Sequence, residues 1–247
     1  MDFERVSEWI GRHEGEMVEL QAELTRRPAL GPESGGQGEW AKAAFLEEYV
    51  RGAGLTDVAH YDCPDSRVPE GSRPNFSAAV RGSKDAPCTW VLAHMDVVPP
   101  GEQDPDGTWK GWDGDPYEVR RVGDLLVGRG VGDNQQAIVS SVFAARALIE
   151  CKTVPPHAVK LLFVSDEECG SERGLDRAHG FTSAVARVDL RRAPCSGGFS
   201  NSGARYTLTP RARRASTMLA GARSSVTTAV SLSVGQNVAK AERPHLV

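Results

Sequence analysis

No stretch of this 247-residue chain stays apolar for the roughly twenty residues that a membrane helix needs, so neither a spanning segment nor a membrane partner is expected. The opening residues Met1-Asp2-Phe3-Glu4 are acidic, whereas a secretory leader would open on basic residues and continue into an unbroken apolar run. Cysteine is scarce and unpaired in pattern. Cys63, Cys88, Cys151, Cys169 and Cys195 are odd in number and contain no CxxC, which excludes a disulfide framework and points to a reducing, cytoplasmic compartment. Cys88 opens an apolar run and reads as core rather than as a nucleophile. The glycines Gly128, Gly130 and Gly132 build neither GxGxxG nor GxxxxGK, so no nucleotide loop is expected, and no internal repeat occurs.

The apolar fraction of 40% and the charged fraction of 25% are those of an ordinary globular domain. The net charge of −4 hides a division: residues 187–247 carry nine Arg and one Lys against Asp189 and Glu242, a balance of +8, and residues 1–186 hold the remaining −12. Phe3, Val6, Ile10, Met17, Leu20 and Leu24 recur at helical spacing and predict a first amphipathic helix. After the breaker segment 31–38, a second helix is expected from Trp40 to Arg51, with Ala44, Phe45, Tyr49 and Val50 on its apolar side. Strands are expected over Asn75–Val80 and Thr89–Ala93, then as a hairpin of Tyr117–Val119 and Leu125–Val127 about Gly123-Asp124. A helix over Asn134–Glu150 leads to a buried strand, Val159–Val164. Strand, helix, strand is a crossover unit, so residues 1–186 read as an α/β layered domain with its chemistry at strand ends.

Three short segments stand at such ends. His94-Met95-Asp96 follows a buried strand. A lone histidine there is usually a satisfied core group, but residues two apart on an extended chain share a side, so Asp96 can accept an imidazole N–H and fix its tautomer. Asp133-Asn134 follows three glycines and precedes a helix. Either residue could be an ordinary N-cap, and Asn134 filling that role would free Asp133. Asp166-Glu167-Glu168 ends six apolar residues, where an acidic turn is usually just solvated. Neighbouring glutamates point differently, so one can ligate a metal while the other carries the proton of an activated water.

Together, His94-Met-Asp-Val-Val-Pro-Pro-Gly, Asp115-Pro-Tyr, Gly128-Arg-Gly-Val-Gly-Asp-Asn134 and Ser165-Asp-Glu-Glu-Cys-Gly-Ser171, with Arg73-Pro-Asn-Phe, resemble the M20 family of metallopeptidases and amidohydrolases over roughly residues 1–180. That family includes succinyl-diaminopimelate desuccinylase, acetylornithine deacetylase and several dipeptidases. The resemblance implies a three-layer, zinc-peptidase-like α/β catalytic domain with a mostly parallel mixed sheet, incomplete at the C-terminus. It implies two divalent metal ions, zinc first and cobalt or manganese as alternatives. By resemblance His94 and Glu168 are metal ligands, Asp133 bridges the ions, Asp96 orients His94, and Glu167 is general base and acid. The implied reaction is hydrolysis of an amide in an N-acyl amino acid or small peptide, and full-length relatives are expected to be homodimers.

The family supplies two further ligands, an acid some twenty residues past the Glu pair and a late histidine; Asp189 and His245 are the residues nearest those places, and neither sits in a family-like context. From about Val185 onward the chain is rich in Arg, Ser, Ala and Thr without a period, as a GC-rich gene read out of frame would be. The expectation is a metallohydrolase part over 1–186, truncated or frameshifted after about 185, followed by an atypical segment 187–247. A real basic, disordered tail is the alternative. A nucleic-acid arm around Arg211-Ala-Arg-Arg214 lacks interleaved aromatics and is not expected. The competing functional reading is a catalytically incompetent fragment lacking two metal ligands and the family's smaller second domain.

Overall fold

The computed structural model describes residues 2–174, with the backbone alone for residues 85–87. Asp189, His245 and the expectations for segment 187–247 therefore lie outside the described residues.

Two helices open the chain, α1 (Phe3–Arg12) and α2 (Glu14–Thr25). The expected single helix is broken at His13, whose φ and ψ are −106° and 18°. Gly11 and Gly15 flank the break and lower the cost of leaving helical geometry. The His13 ring then stacks on Trp9 with centroids 3.6 Å apart, which seats the corner. A short 3₁₀ turn (Pro32–Ser34) leads to α3 (Trp40–Gly52). The buried side of α3 is Lys42, Ala43, Leu46 and Val50, and Ala44 is exposed. Of the expected apolar side, Val50 is buried and Phe45 and Tyr49 pack half-buried against the core, so only Ala44 departs from it, while Lys42, which hydropathy would send outward, is buried.

Four short strands follow: β1 (Thr56–His60), β2 (Cys63–Pro64), β3 (Ser72–Arg73) and β4 (Phe76–Val80). The long β5 runs Lys84–His94. The hairpin forms about Gly123-Asp124 as expected, from β6 (Arg120–Val122) and β7 (Leu125–Val127). Its first strand starts three residues late, because the Asp115 carboxylate takes the Tyr117 amide at 2.8 Å and holds 115–118 in a turn. Then come α4 (Gln136–Glu150) and β8 (His157–Val164).

The main sheet has the order β1-β4-β8-β5. It is mixed: β5 and β8 pair in parallel, while β8–β4 and β4–β1 are antiparallel. The parallel pair is joined through α4, so the carboxyl ends of β5 and β8 lie side by side, with His94 opposite Val164. The helices bury Leu20, Leu24, Leu46, Val50, Ile138, Val142 and Phe143 against Ala78, Ala93, Leu161 and Phe163 of the sheet. Each such large side chain contributes about 1.5–3 kcal/mol on leaving water. That core makes the shared strand edge a rigid platform. No helix among the described residues is long and apolar enough to cross a membrane.

Candidate metal centre

Beyond His94 the chain stays extended, and three hydrogen bonds hold it. The Met95 amide donates to the Val164 carbonyl (2.8 Å), the Lys42 ammonium to the Met95 carbonyl (2.9 Å), and the Val97 amide to the Ala29 carbonyl (3.1 Å). Met95 and Val97 face the core, leaving His94 and Asp96 on the other side, as two-residue spacing requires. His94 is only 3% exposed. Its Nδ1 lies 3.1 Å from the Asp96 carbonyl and 3.4 Å from the Asp96 carboxylate. The expected carboxylate contact is present, yet the same carboxylate also accepts the backbone amides of Glu167 (3.1 Å) and Glu168 (2.9 Å). Asp96 thus ties the imidazole to the acidic turn.

Asp133 arrives from a distorted helical turn, Val131–Gln135, in which Asp133 and Asn134 leave helical φ/ψ and are joined by a cis peptide. Two features fix that path. Gly130 has φ +79°, and a Cβ there would sit 2.6 Å from Val97 Cγ1 and 2.7 Å from Gln135 Nε2, so only glycine fits without movement. Gln135 is buried, and its Oε1 accepts from Gln21 (2.7 Å) and Thr25 (2.8 Å) of α2. Asp133 is largely in solvent, its side chain 78% exposed, but Oδ1 turns back to 3.1 Å from His94 Nε2. Neither Asp133 nor Asn134 bonds as a side-chain helix cap.

Glu167 Oε2 lies 3.9 Å from His94 Nε2. One donor atom each from His94, Glu167 and Glu168 falls within 4.8 Å of the others. All five residues marked out by the sequence therefore meet at one edge. Cys169, next in the chain, is no nucleophile candidate: burial, then Glu33 and Asp166, push its thiol up to about 11.

The electrostatics of the cluster are divided: the His94 hydrogen bond lowers Asp133, whereas burial raises both glutamates. Burial, followed by Asp133 and other neighbouring acids, pushes Glu168 up to about 7, against a partial offset from His94. Burial also raises Glu167, with His94 opposing and Asp96 and Asp133 adding. Burial alone would lower His94, but the hydrogen bonds of Asp133 and Asp96 outweigh it and carry the imidazole up to about 10. Its proton then lies between the Asp133 and Asp96 carboxylates. One imidazole and several carboxylates in this state form the donor set of a divalent cation, which would replace that proton. The residues fit a metal.

Residues 90–205 match the family model Peptidase family M20/M25/M40. A metallohydrolase of Methanococcus maripaludis is 33% identical over 166 residues, 65% of this chain and 38% of that protein. Succinyl-diaminopimelate desuccinylase 2 of Shewanella loihica is 31% identical over 153 residues, 62% of this chain and 35% of the enzyme. Over these residues the chain is similar to the M20 family. Human carnosine dipeptidase 1 superposes with a TM-score of 0.60 at 23% identity, over 74% of this chain and 39% of that one. The Saccharomyces cerevisiae dipeptidase Dug1p gives 0.58 at 22% identity, over 70% and 36%. These two likenesses establish the M20 catalytic-domain fold. The chain spans little over a third of the length of the curated M20 relatives it matches.

Several groups that hold this cluster were not marked out by the sequence. Lys42 lies in a helix pattern that reads as surface, and Glu39 looks like a helix-start residue. Arg73 and Asn75 were part of a family-like run without a role, and Asp166 was one acid of three.

Proposed function

We propose that this chain carries the metal-binding edge of an amide hydrolase acting on an N-acyl amino acid or small peptide. The observation that carries the reading is the meeting of His94, Asp133, Glu167 and Glu168 around the Asp96 carboxylate, with Glu168 pushed up to about 7 by burial and the neighbouring acids. His94, Asp133 and Glu168 would hold two divalent ions, zinc first and cobalt or manganese as alternatives. When bound, the metal would polarise the amide carbonyl and make a nearby water more acidic. Asp96 fixes the imidazole from its Nδ1 side and fastens the Glu167 and Glu168 amides. Glu167 Oε2 takes the proton of the attacking water and returns it to the leaving amine nitrogen. Burial already holds that carboxyl above its ordinary value, toward the pH at which such a relay works best.

The domain division belongs to this proposal: residues 1–186 as the metallohydrolase part and 187–247 as an Arg/Ser/Ala-rich segment, out of frame or a basic tail. A second reading, a non-catalytic fragment, rests on the donor count. Among the described residues His94, Asp133 and Glu168 leave each of two ions fewer protein ligands than the three usual for catalytic zinc.

The experiment is zinc titration of the wild type, Glu167→Gln and Glu168→Gln, with hydrolysis of N-acetyl and N-succinyl amino acids and dipeptides in added zinc, cobalt or manganese. Glu167→Gln should lower turnover roughly 10²–10⁴-fold and leave zinc affinity nearly unchanged. Glu168→Gln should weaken zinc binding at least about tenfold, since a ligand is lost. Equal affinity loss in both variants would refute the division of roles. Zinc binding without any turnover would favour the fragment reading, and resequencing downstream of codon 180 would then look for an alternative frame with a later histidine.

A further inference from the structure

Residues that take no part in that chemistry surround the exit of β8. Continued as a strand past Val164, the chain would send Glu167 and Glu168 to opposite faces and away from His94. It turns instead at Asp166, whose φ is +65°. L residues enter that region at a cost, Asp and Asn least among those with a side chain. The turn closes with the Ser171 amide donating to the Asp166 carbonyl (2.6 Å) and the Gly170 amide to the Glu167 carbonyl (3.2 Å). Only after this turn do the Glu167 and Glu168 amides both reach the Asp96 carboxylate.

Three consecutive residues grip the turn from β3 and the start of β4. Arg73, fully buried, donates from Nη1 to Asp166 Oδ1 at 3.3 Å. It is itself held by the buried Glu39, through Nε at 2.6 Å and through Nη2. The Pro74 carbonyl accepts the Ser165 hydroxyl. Asn75 Oδ1 accepts the Ser165 amide at 2.9 Å, and its amino group donates to the Arg173 carbonyl at 3.0 Å on the far side of the turn. The Arg173 amide in turn donates to Asp166 Oδ2 at 2.9 Å. The Asp166 carboxylate is thus buried and bonded on both oxygens.

We propose that Asp166, gripped by Arg73 and Asn75, is a positioning residue whose left-handed turn aims Glu167 and Glu168 at His94. The inference deepens the metal-site reading and rests on it for the roles of the two glutamates. None of the three residues needs to touch substrate or the reacting atoms. Their effect is geometric: two glutamate amides anchored on Asp96 leave two glutamate side chains on the His94 side.

The test uses the full chain with Asp166→Asn, which tolerates the left-handed turn but loses the charge paired with Arg73, and Asp166→Ala, which loses both. Amide hydrogen exchange is read residue by residue at Glu167 and Glu168 and, as an internal control, at Leu161 and Leu162 within β8. Exchange at Glu167 and Glu168 should rise about tenfold in Asp166→Asn and further in Asp166→Ala, while the β8 amides stay within about twofold. Zinc affinity should fall in the same order, about tenfold or more, as for other groups that orient ligands. Glu167 and Glu168 amides that stay protected overturn the proposal, and so does an exchange increase shared equally with Leu161 and Leu162, which would mark a merely structural role. Should Asp166→Ala fail to fold, Asp166→Asn decides alone. If the wild type binds no zinc while the amides respond as expected, the metal reading fails and the positioning role stands.

Discussion

Two acid-rich layers lie within a few residues of each other in this protein. The inner one holds Glu39, Asp65 and Asp166 and is threaded by buried Arg73 and by Lys42, with Arg67 and Arg173 at its rim. The outer one holds Asp133, Glu167 and Glu168 and offers one histidine in return. In the inner layer the carboxylates have fixed cationic partners: Arg67 first, then Arg173, hold the Asp65 carboxyl well below the usual range. In the outer layer Glu168 is displaced upward, to about 7. The contrast is not uniform, since burial raises Glu39 despite its Arg73 partner and the His94 hydrogen bond lowers Asp133. Asp96 joins the two layers, fastening the Glu167–Glu168 turn while facing His94.

The largest expected effect would come from breaking the inner layer. Arg73→Ala leaves Glu39 and Asp166 buried without their partner and should cost about 3–5 kcal/mol by urea unfolding. Glu168→Gln, measured in chelator, should cost nothing or stabilise slightly, because it relieves repulsion. Similar losses in the two variants would erase the distinction between the layers.

The pH dependence of the outer layer comes next. His94 titrates near 10 in the folded chain against about 6.5 when unfolded, so its proton stabilises the fold fully below pH 6.5. That stabilisation is lost as pH rises from 6.5 through 10. Lys42 acts oppositely in the same window: burial lowers it to about 7, so its destabilising effect fades as pH rises toward 10.5. Comparing wild type with His94→Asn in chelator separates the two. The stability advantage of the wild type should shrink by an amount on the order of 2–4 kcal/mol between pH 6.5 and 10. An advantage independent of pH would mean that His94 is not protonated among those acids.

Gly130→Ala should cost about 1–3 kcal/mol, since it forces a side chain at φ +79° into Val97 and Gln135. Because Gln135 steers the turn that carries Asp133, the same variant should weaken zinc binding, whereas Gly52→Ala at the end of α3 meets nothing within 4 Å and serves as the control. The smallest effect is expected at Arg51, which pairs with Glu47 at 2.6 Å on the exposed face of α3. Arg51→Ala should change stability by less than about 0.5 kcal/mol, the ordinary worth of an exposed i,i+4 pair. A loss comparable to that of Arg73→Ala would show that burial is not what separates the ion pairs of this protein.

The outer layer was legible before any coordinates. His94, Asp133 and the Glu167–Glu168 pair each stand directly after an apolar strand or a glycine turn, and strand ends of a crossover unit necessarily meet at one edge. The inner layer was not. Arg73, Glu39 and Asp166 are 34 and 93 residues apart in the bonds they form, and nothing local in any of the three announces its partners. Lys42 went unmarked for the same reason, because burial of an ammonium group is decided by the carbonyl and carboxylates that face it. The break at His13 and the late start of β6 were also local misreadings, where a stacked ring and an Asp115 turn outweighed hydropathy.

By itself, then, the sequence determined the α/β alternation, the crossover from β5 to β8 and the kinds of side chain that collect where those strands end. Periodicity and strand-end position are properties of neighbouring residues, and neighbours are what a chain written in order records. Tertiary structure alone decided that the Asp96 carboxylate would fasten the Glu167 and Glu168 amides, that Asp133 would turn back from solvent to His94, and that a buried arginine would hold the turn between them. Those outcomes depend on desolvation and on charges from distant segments, and both come into being only when the core closes and brings the segments together.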